Sequence, residues 1–299
     1  MTLQFSPYQE ISSIIDRFTG ADGDFPTAIS NLNFYRRSRP TLPHHSAYKP
    51  GFAIVVQGAK SLTVGQEEYR YGAGQYLLTS LDLPVASHVT EASLEAPYLC
   101  FGFMIDSARL SDLIARVSVP RHPAADGIRG WAVNVASPEI LDASVRLLRL
   151  LERPDDIAVM APLIEHEILY RLLSGPDGPR LLQIAMSDSQ SNKVVRAVGW
   201  IRDNFAQTLR IEDLAERINV SVSSLHHNFK AVTAMTPLQY QKQLRLHEAR
   251  RLILVDQLDV GTAGHRVGYE SPSQFSREYS RLYGSPPRRD AERIRRAAE

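Results

Sequence analysis

One helical pattern occurs twice in the last third of this 299-residue sequence. Each copy has a short amphipathic helix pattern, a tight turn, a serine suited to cap a helix, and a longer amphipathic helix pattern. The turn and serine are Asn219-Val220 and Ser221 in the first copy, and Gly268-Tyr269 and Ser271 in the second. Two short helices joined by so tight a turn form a helix-turn-helix unit, so the repeat predicts two such units.

The segment between the two copies, Tyr240–Leu254, has apolar residues at helical spacing and predicts a rigid helix that links the units. Its apolar positions are interspersed with basic residues, namely Lys242, Arg245, Arg250 and Arg251.

Charge is divided unevenly along the chain. Residues 191–299 hold 18 Lys and Arg against 12 Asp and Glu, a net charge of +6, whereas residues 1–190 have a net charge of −5. The positive part favours a polyanionic partner, with a merely solvated surface as the alternative. The helix-breaking stretch Ser174–Pro179, SGPDGP, precedes this part, and we therefore expect domains at 1–185 and 186–299.

The N-terminal part, from residue 28 to residue 104, alternates short apolar and aromatic runs with Gly, Pro and Asp. These runs predict strands, among them Ile29–Tyr35, Phe52–Gln57, Ser61–Val64, Gln75–Ser80 and Tyr98–Met104. Many short strands favour a sandwich or a barrel, and helical periodicity follows after Asp106. The expected fold class is therefore α+β in two domains, with an all-α C-terminal domain.

Several stretches resemble the AraC/XylS family of transcription regulators. The resemblance is carried by TPLQYQKQLRLHEARRLI (Thr236–Ile253) and VGYESPSQFSREYSRLYGSPP (Val267–Pro287), and upstream by PGFAIVVQGAK, YGAGQYLLTSLDLPV and PYLCFGFMID. It implies a cupin-like β-barrel closed by the segment Phe5–Phe18, followed by a double helix-turn-helix domain. It also implies double-stranded operator DNA and a small-molecule effector as partners, with RNA polymerase as a further candidate partner.

The longer helix of each unit is predicted to enter a DNA major groove, where base edges present distinguishable donors and acceptors. The outward positions predicted to read bases are Ser223, Ser224, His226, His227, Ser273, Gln274, Ser276 and Arg277. Among these, Gln274 and Arg277 carry the sharpest chemistry, because Gln pairs bidentately with adenine and Arg with guanine. The residues predicted to contact phosphates are Lys230, Arg281, Arg288 and Arg289.

Two positions depart from the family pattern. Ala234 stands where the first recognition helix usually ends in glycine, and Gly264 stands where the second supporting helix usually carries alanine. Alanine is less favourable than glycine in a left-handed cap, and glycine weakens a helix interior by up to about 1 kcal/mol. We expect local effects on stability and no loss of a DNA contact.

Two further sets of residues in the N-terminal domain are functional candidates. The polar or amphipathic side chains on predicted strands that suit an effector pocket are Tyr35, Arg37, Gln57, Tyr76 and His88. The apolar stripe of one helix suits either a two-helix homodimer seam or packing onto its own barrel, and consists of Leu141, Val145, Leu148 and Leu151.

Other classes of function find little support. The residues His44, His45, His88, Glu67 and Glu68 lack the spacing of a cupin metal site, and Cys100 lies in an apolar strand. We expect no cofactor, no enzymatic activity, no membrane segment and a cytoplasmic location. The alternatives are a cupin-type metalloenzyme with an appended DNA-binding module and a non-specific nucleic-acid scaffold.

Overall fold

The computed structural model describes residues 6–117, 128–185 and 193–298. Within these ranges the chain forms ten strands and twelve α-helices. The expected boundary between residues 185 and 186 adjoins residues 186–192, which lie outside the described ranges, and the positions of the two domains stay a prediction.

The strands form two sheets. The six-stranded sheet has the order β1-β2-β9-β4-β7-β10, and the four-stranded sheet has the order β3-β8-β5-β6, with antiparallel pairing throughout. The strand bounds are β1 Gly23–Pro26, β2 Leu32–Arg37, β3 His44–Tyr48, β4 Gly51–Gln57, β5 Ala59–Val64, β6 Glu67–Gly72, β7 Gln75–Thr79, β8 Leu83–Glu91, β9 Tyr98–Met104 and β10 Trp131–Val135.

The prediction of a β-rich N-terminal domain followed by a helical domain is confirmed. The two sheets are separate layers, however, and no ladder between described strands joins them into one closed barrel. Because side chains alternate across a strand, each inner strand of the six-stranded sheet has two buried faces. Phe34, Ile54 and Phe101 face the helices, whereas Val55 and Cys100 face the four-stranded sheet.

Helices cover one face of the six-stranded sheet. They are α1 Pro7–Phe18, α2 Ser107–Arg116, α3 Pro138–Arg149, α4 Pro154–Ser174 and α5 Gly178–Ala185, with a short 3-10 turn at Leu150–Glu152. Ile11 and Ile15 of α1 are fully buried and pack in this layer with Phe34. Helix α1, the described part of the segment expected to close a barrel, therefore lies on the outer face of the sheet, away from the space between the sheets.

The stripe predicted as a dimer seam is buried within its own chain. Leu141, Val145, Leu148 and Leu151 are each less than 10% exposed, in the core that α3 forms with α1 and α4. This is the alternative in which the stripe packs onto its own domain, and it leaves no free apolar surface on that side of α3.

The C-terminal part is all helical, as predicted. Its helices are α6 Lys193–Asp203, α7 Ile211–Arg217, α8 Val222–Thr233, α9 Pro237–Leu254, α10 Val260–Arg266, α11 Pro272–Tyr283 and α12 Pro287–Ala298. The pairs α7–α8 and α10–α11 are the two helix-turn-helix units, and α9 links them. Ser221 and Ser271 cap α8 and α11, because each hydroxyl accepts a hydrogen bond from a backbone N–H of the first turn.

The two units belong to different cores. Phe229 and Tyr240 pack in one continuous apolar cluster with Leu62 and Trp131 of the N-terminal domain. Phe275 and the rest of the second unit pack in a cluster that contains only C-terminal residues. The first unit is therefore joined to the N-terminal domain by apolar contacts, and the second unit contacts that domain mainly at its surface.

Both departures from the family pattern have a structural outcome. Ala234 ends α8 in the left-handed conformation, with φ of 59°, as expected for the residue at this capping position. A Cβ atom on Gly264 would lie 2.9 Å from Cδ1 of Phe275, whose side chain is 1% exposed. Glycine therefore lets α10 approach α11 more closely than alanine would.

We predict that Gly264→Ala lowers the free energy of unfolding by roughly 1–3 kcal/mol, because the Phe275 ring must move within a packed core. Gly199→Ala is the matched control, since a Cβ atom there meets no other atom within 4 Å in the interior of α6. The control should gain about 0.5–1 kcal/mol. Urea unfolding measures both, and a Gly264→Ala variant as stable as the wild type would contradict the close packing.

Candidate nucleic-acid interface and ligand cavity

The first recognition helix, α8, presents a polar surface at its N-terminal end. Ser223, Ser224 and His227 are exposed, whereas His226 is half-buried. The Ser224 hydroxyl accepts a hydrogen bond from Ser221 Oγ at 3.0 Å, so it is partly engaged in the cap. Ser223 and His227 are the freest of the four predicted base-reading side chains on this helix.

The second recognition helix, α11, presents the longer side chains. Ser273, Gln274 and Arg277 are exposed and Ser276 is half-buried. The Gln274 amide donates to Glu278 Oε1 at 3.4 Å, a long contact that a base edge can replace. The four residues predicted to contact phosphates are all exposed, namely Lys230, Arg281, Arg288 and Arg289.

A single arginine of the linking helix ties the two units together. Arg245 Nε donates to the carbonyl of Phe205 at 2.6 Å, and its Nη1 donates to the carbonyl of Gly268 at 2.9 Å. Its Nη2 donates to the carbonyls of Ala206 and Gln207 at 3.2 and 2.8 Å. The guanidinium thus joins the end of α6, α9 and the turn between α10 and α11, a role that the sequence pattern did not indicate.

Arg250 of the same helix is also structural. Its Nε lies 2.9 Å from the carboxylate of Asp290, which is fully buried and also accepts from Tyr279 Oη at 3.0 Å. Breaking a buried pair of this kind is costly, since it leaves an uncompensated charge. Both arginines therefore hold the DNA-binding domain in shape and are not part of a free basic surface.

The N-terminal domain contacts the end of the first recognition helix directly. Arg129 Nη1 donates to the carbonyls of Lys230 and Ala231 at 3.0 and 2.8 Å, and Arg129 is also paired with Glu67 of β6. The backbone N–H of Gly130 donates to the carbonyl of Val232 at 2.9 Å. We call these contacts the Arg129 latch.

Two further contacts join the domains beside the latch. Tyr240 Oη donates to the carbonyl of Asp82 at 2.7 Å, and Arg202 pairs with the Asp82 carboxylate at 2.8 Å. All three residues lie between the N-terminal sheets and the first helix-turn-helix unit.

A cluster of rings joins β3 to the second unit. The ring centroid of His45 lies 6.2 Å from that of His247 and 5.2 Å from that of Tyr283, and Arg250 Cζ lies 4.5 Å from the Tyr283 centroid. Within the described ranges, His247 Nε2 is buried without a hydrogen-bond partner. Both imidazoles are enclosed beside a cation, which favours their neutral form.

A cavity of about 320 Å³ lies between the two sheets. Its walls include Lys60 and Cys100 and the aromatic side chains of Tyr35, Tyr48, Tyr71 and Tyr98. Polar residues near the ends of strands form part of the remaining wall, namely Asn31, Asn33, Lys49 and Thr79. Its size is near the lower end of the range for small-molecule sites, roughly 300–1,000 Å³.

Of the five residues predicted for an effector pocket, Tyr35 alone lines this cavity. Arg37 bonds to Asp24 at 2.6 Å, Gln57 donates to the carbonyl of Pro97 at 2.8 Å, and Tyr76 donates to the buried Asp177 carboxylate at 2.5 Å. The residues directly before and after His88 along β8 are buried, so His88 faces the side of its sheet that is turned away from the cavity.

The acidic and histidine residues weighed for a metal site do not gather. Among the residues that the structure describes, no group of three His, Cys, Asp or Glu side chains is arranged to hold a metal ion. Glu67 pairs with Arg129, and Glu68 accepts from Ser61 Oγ at 2.5 Å. Across the described helices, none combines the length and apolarity needed to cross a bilayer.

Matches to known families cover most of the chain. Residues 28–180 match the family described as AraC-type transcriptional regulator N-terminus, and residues 214–293 match a helix-turn-helix domain family. The HTH-type transcriptional activator RhaS of Pectobacterium carotovorum subsp. carotovorum is 29% identical over 182 residues, which cover 60% of this chain and 62% of RhaS. RhaS of Salmonella agona is 31% identical over 160 residues, which cover 53% of this chain and 55% of RhaS. Both matches span less than two thirds of the relative.

The fold is shared with a solved regulator. Wild-type ToxT from Vibrio cholerae strain SCE256, with an unsaturated fatty acid bound, superimposes with a TM-score of 0.56. The match covers 89% of this chain and 94% of ToxT at 10% sequence identity. At that identity the likeness concerns the fold of both domains.

We predict that acid destabilises the contact between β3 and the second unit. Burial and nearby Arg250 lower the pKa of His45 to about 4, and burial, His45 and Arg250 lower that of His247 to about 3. Because an unfolded histidine has a pKa of about 6.5, the unfolded state binds more protons at intermediate pH. The stability from the neutral rings is therefore present above about pH 6.5 and is lost as the pH falls towards 4 and below.

Thermal unfolding measured from pH 7 to pH 4 checks this prediction. The melting temperature of the His45→Gln/His247→Gln double variant should depend less on pH than that of the wild type. His227→Gln is the matched control, because His227 is exposed on α8. A double variant with the wild-type dependence on pH would show that other groups cause the loss.

Proposed function

The chain belongs to the AraC family of transcriptional regulators, and we propose that it binds operator DNA in a sequence-specific manner under the control of a small molecule held between its N-terminal sheets. The observation that carries this proposal is the pair of capped recognition helices, α8 and α11, held on one rigid frame by Arg245. Such a frame presents two polar helix ends to DNA at a constant separation. A regulator with this role acts in the cytoplasm, where bacterial DNA lies.

The two helices contribute unequally to base reading. Gln274 and Arg277 of α11 are long, exposed and able to form bidentate hydrogen bonds with base edges. Ser223 and His227 of α8 offer shorter or single contacts. We therefore assign most of the sequence discrimination to the second unit and a larger share of positioning to the first.

A small-molecule effector fits the cavity between the sheets. ToxT, which has the same fold, has been solved with an unsaturated fatty acid bound. The cavity lies in the domain that holds the C-terminal end of α8 through the Arg129 latch. A ligand that favours one arrangement of this domain therefore also favours one placement of the first recognition helix. A contact with RNA polymerase stays a prediction.

We assign homodimer formation to the exposed face of α4, in place of the buried stripe of α3. Val159, Leu163 and Tyr170 are 68%, 60% and 41% exposed, and their spacing of four and seven residues places them on one side of the helix. Exposed apolar patches of this kind mark interaction sites. Two copies of α4 packed antiparallel would also bring Asp155 of each copy towards Arg171 of the other.

We predict that Gln274→Ala or Arg277→Ala costs about 1–3 kcal/mol of binding to the selected operator and relaxes selection at particular base pairs. Arg288→Ala is the control for a phosphate contact, and should weaken all sequences alike and reduce the slope of log affinity against log salt by about 1. Sequence selection followed by titration at several salt concentrations measures both effects. Equal affinity of the wild type for selected and scrambled DNA would contradict the proposal.

We predict that Leu163→Lys shifts the protein from dimer to monomer, because it places two charges in the apolar α4 seam. Leu94→Lys is the control, since Leu94 is 68% exposed in the loop between β8 and β9. Sedimentation equilibrium at micromolar concentration distinguishes the species. A wild type that is monomeric under these conditions, or a Leu163→Lys variant that stays dimeric, would refute this interface.

A further inference from the structure

The cavity between the sheets exists because the centre of the six-stranded sheet carries little side-chain volume on that face. Asn33, Gly102 and Ala53 lie side by side in the register of β2, β9 and β4, and Gly51 lies two residues before Ala53 on the same face. On the two central strands, β9 and β4, this row therefore carries no side chain larger than the methyl group of Ala53. Larger residues there would fill the space, as Phe34 and Phe101 do on the opposite face.

One charged side chain of the opposite sheet enters this space. Lys60 shares the inner face of β5 with Leu62 and Val64, both fully buried. Its Nζ donates to Tyr48 Oη at 2.6 Å, and Tyr48 Oη donates to Ser87 Oγ at 3.0 Å. Among the described residues, Tyr48 is the acceptor found for this ammonium, and no carboxylate lies within ion-pair distance of it.

Lys60 carries its charge at neutral pH. Burial lowers the pKa of Lys60, but the attraction of Tyr48, together with that of Cys100 and Asp24, outweighs burial and the net shift is upward. Burial raises the pKa of Cys100 to about 11 and that of Tyr71 and Tyr98 well above their usual value. An ammonium with three N–H donors and one phenolic acceptor therefore stands in the aromatic part of the cavity wall, with the polar residues near the strand ends forming the rest.

Resting on the proposed function, we propose that the effector is a small monocarboxylate whose carboxylate pairs with Lys60 Nζ and whose apolar body fills the hollow over Gly102 and Ala53. The Lys60 ammonium donates to Tyr48 Oη, and its other N–H groups can donate to an anionic oxygen in the cavity, which makes a short charge-assisted hydrogen bond. One cation matches one negative charge, whereas a phosphate dianion would bring a second charge among tyrosine rings. The cavity of about 320 Å³ limits the body to about the size of one aromatic ring with a short chain.

The test uses the full-length protein with phenylacetate as the probe and 2-phenylethanol as its neutral counterpart. Isothermal titration should show phenylacetate bound to the wild type and roughly 30-fold or more weaker binding to Lys60→Met, because a desolvated charge pair is lost. The alcohol should bind weakly and equally to both proteins. Tight binding of the alcohol to the wild type, or no binding of phenylacetate or hexanoate at millimolar concentration, would overturn the proposal.

Two variants keep the test decisive. Lys49→Met removes a lysine at the mouth of the cavity whose side chain is exposed, and should change the affinity for phenylacetate by about twofold at most. Equal losses in Lys49→Met and Lys60→Met would overturn the assignment to Lys60. Ala53→Leu fills the hollow and should abolish binding of both the acid and the alcohol, and unchanged binding would show that the ligand lies elsewhere.

The folding of Lys60→Met is itself informative. A cooperative melting transition of the free Lys60→Met variant shows that it folds, and phenylacetate should raise the melting temperature of the wild type only. Phenyl phosphate is titrated in the same way, and tighter binding of it than of phenylacetate would overturn the assignment to a monocarboxylate. DNA selection by the wild type is measured in parallel, so that failure of ligand binding is distinguished from failure of operator recognition.

Discussion

The arrangement of the DNA-binding domain depends on the guanidinium of Arg245. Four carbonyls from two separate segments converge on this one side chain, three of them on the loop after α6 and one at the turn between α10 and α11. The turn between α10 and α11 lies this close to the loop after α6 only because residue 268 is a glycine. Its φ is 91°, and a Cβ atom there would lie 2.0 Å from the carbonyl oxygen of Ala206. The planar fork of arginine matches several acceptors at once, which a lysine ammonium at this place would not do. The separation of the two recognition helices is therefore set by α9 and this contact.

The two helix-turn-helix units have unequal relations to the N-terminal domain. The first unit shares an apolar core with the strands through residues such as Leu62 and Phe229, and the Arg129 latch caps the C-terminal carbonyls of its recognition helix. The second unit has its own core and meets β3 through the rings of His45 and His247. A movement within the N-terminal sheets would therefore act first on α8, and Arg245 would pass the change in position on to α11. The unequal contacts support the proposal that the second unit supplies most of the base discrimination.

Sequence patterns predicted the helical repeat well, because caps and turns are local. Ser221 and Ser271 cap their helices, and Ala234 adopts the left-handed conformation that its position implied.

The cavity residues were largely missed, because a strand assignment does not tell which of its two faces meets the second sheet. Tyr76 and His88 point away from the cavity for this reason. Lys60 carried a usable signal, since it lies two and four residues before Leu62 and Val64 and so shares their strand face, but it precedes the predicted strand Ser61–Val64 and a lysine is ordinarily read as exposed. Arg245 was missed because its partners are backbone carbonyls distant in sequence.

Strand β6 connects the cavity to the Arg129 latch, and this connection supports the proposal that a ligand controls α8. β6 is the edge strand of the four-stranded sheet, paired with β5 alone, so moving it disturbs fewer backbone hydrogen bonds than moving an inner strand. Tyr71, near one end of β6, pairs with Lys60 and lines the cavity, while Glu67 at the other end holds Arg129. The cavity and the latch thus lie at two ends of one short strand. Under the proposed function, a ligand that favours one position of this strand would change the hold on the carbonyls of Lys230 and Ala231, and the free energy of that control would equal the difference in binding free energy between the two positions.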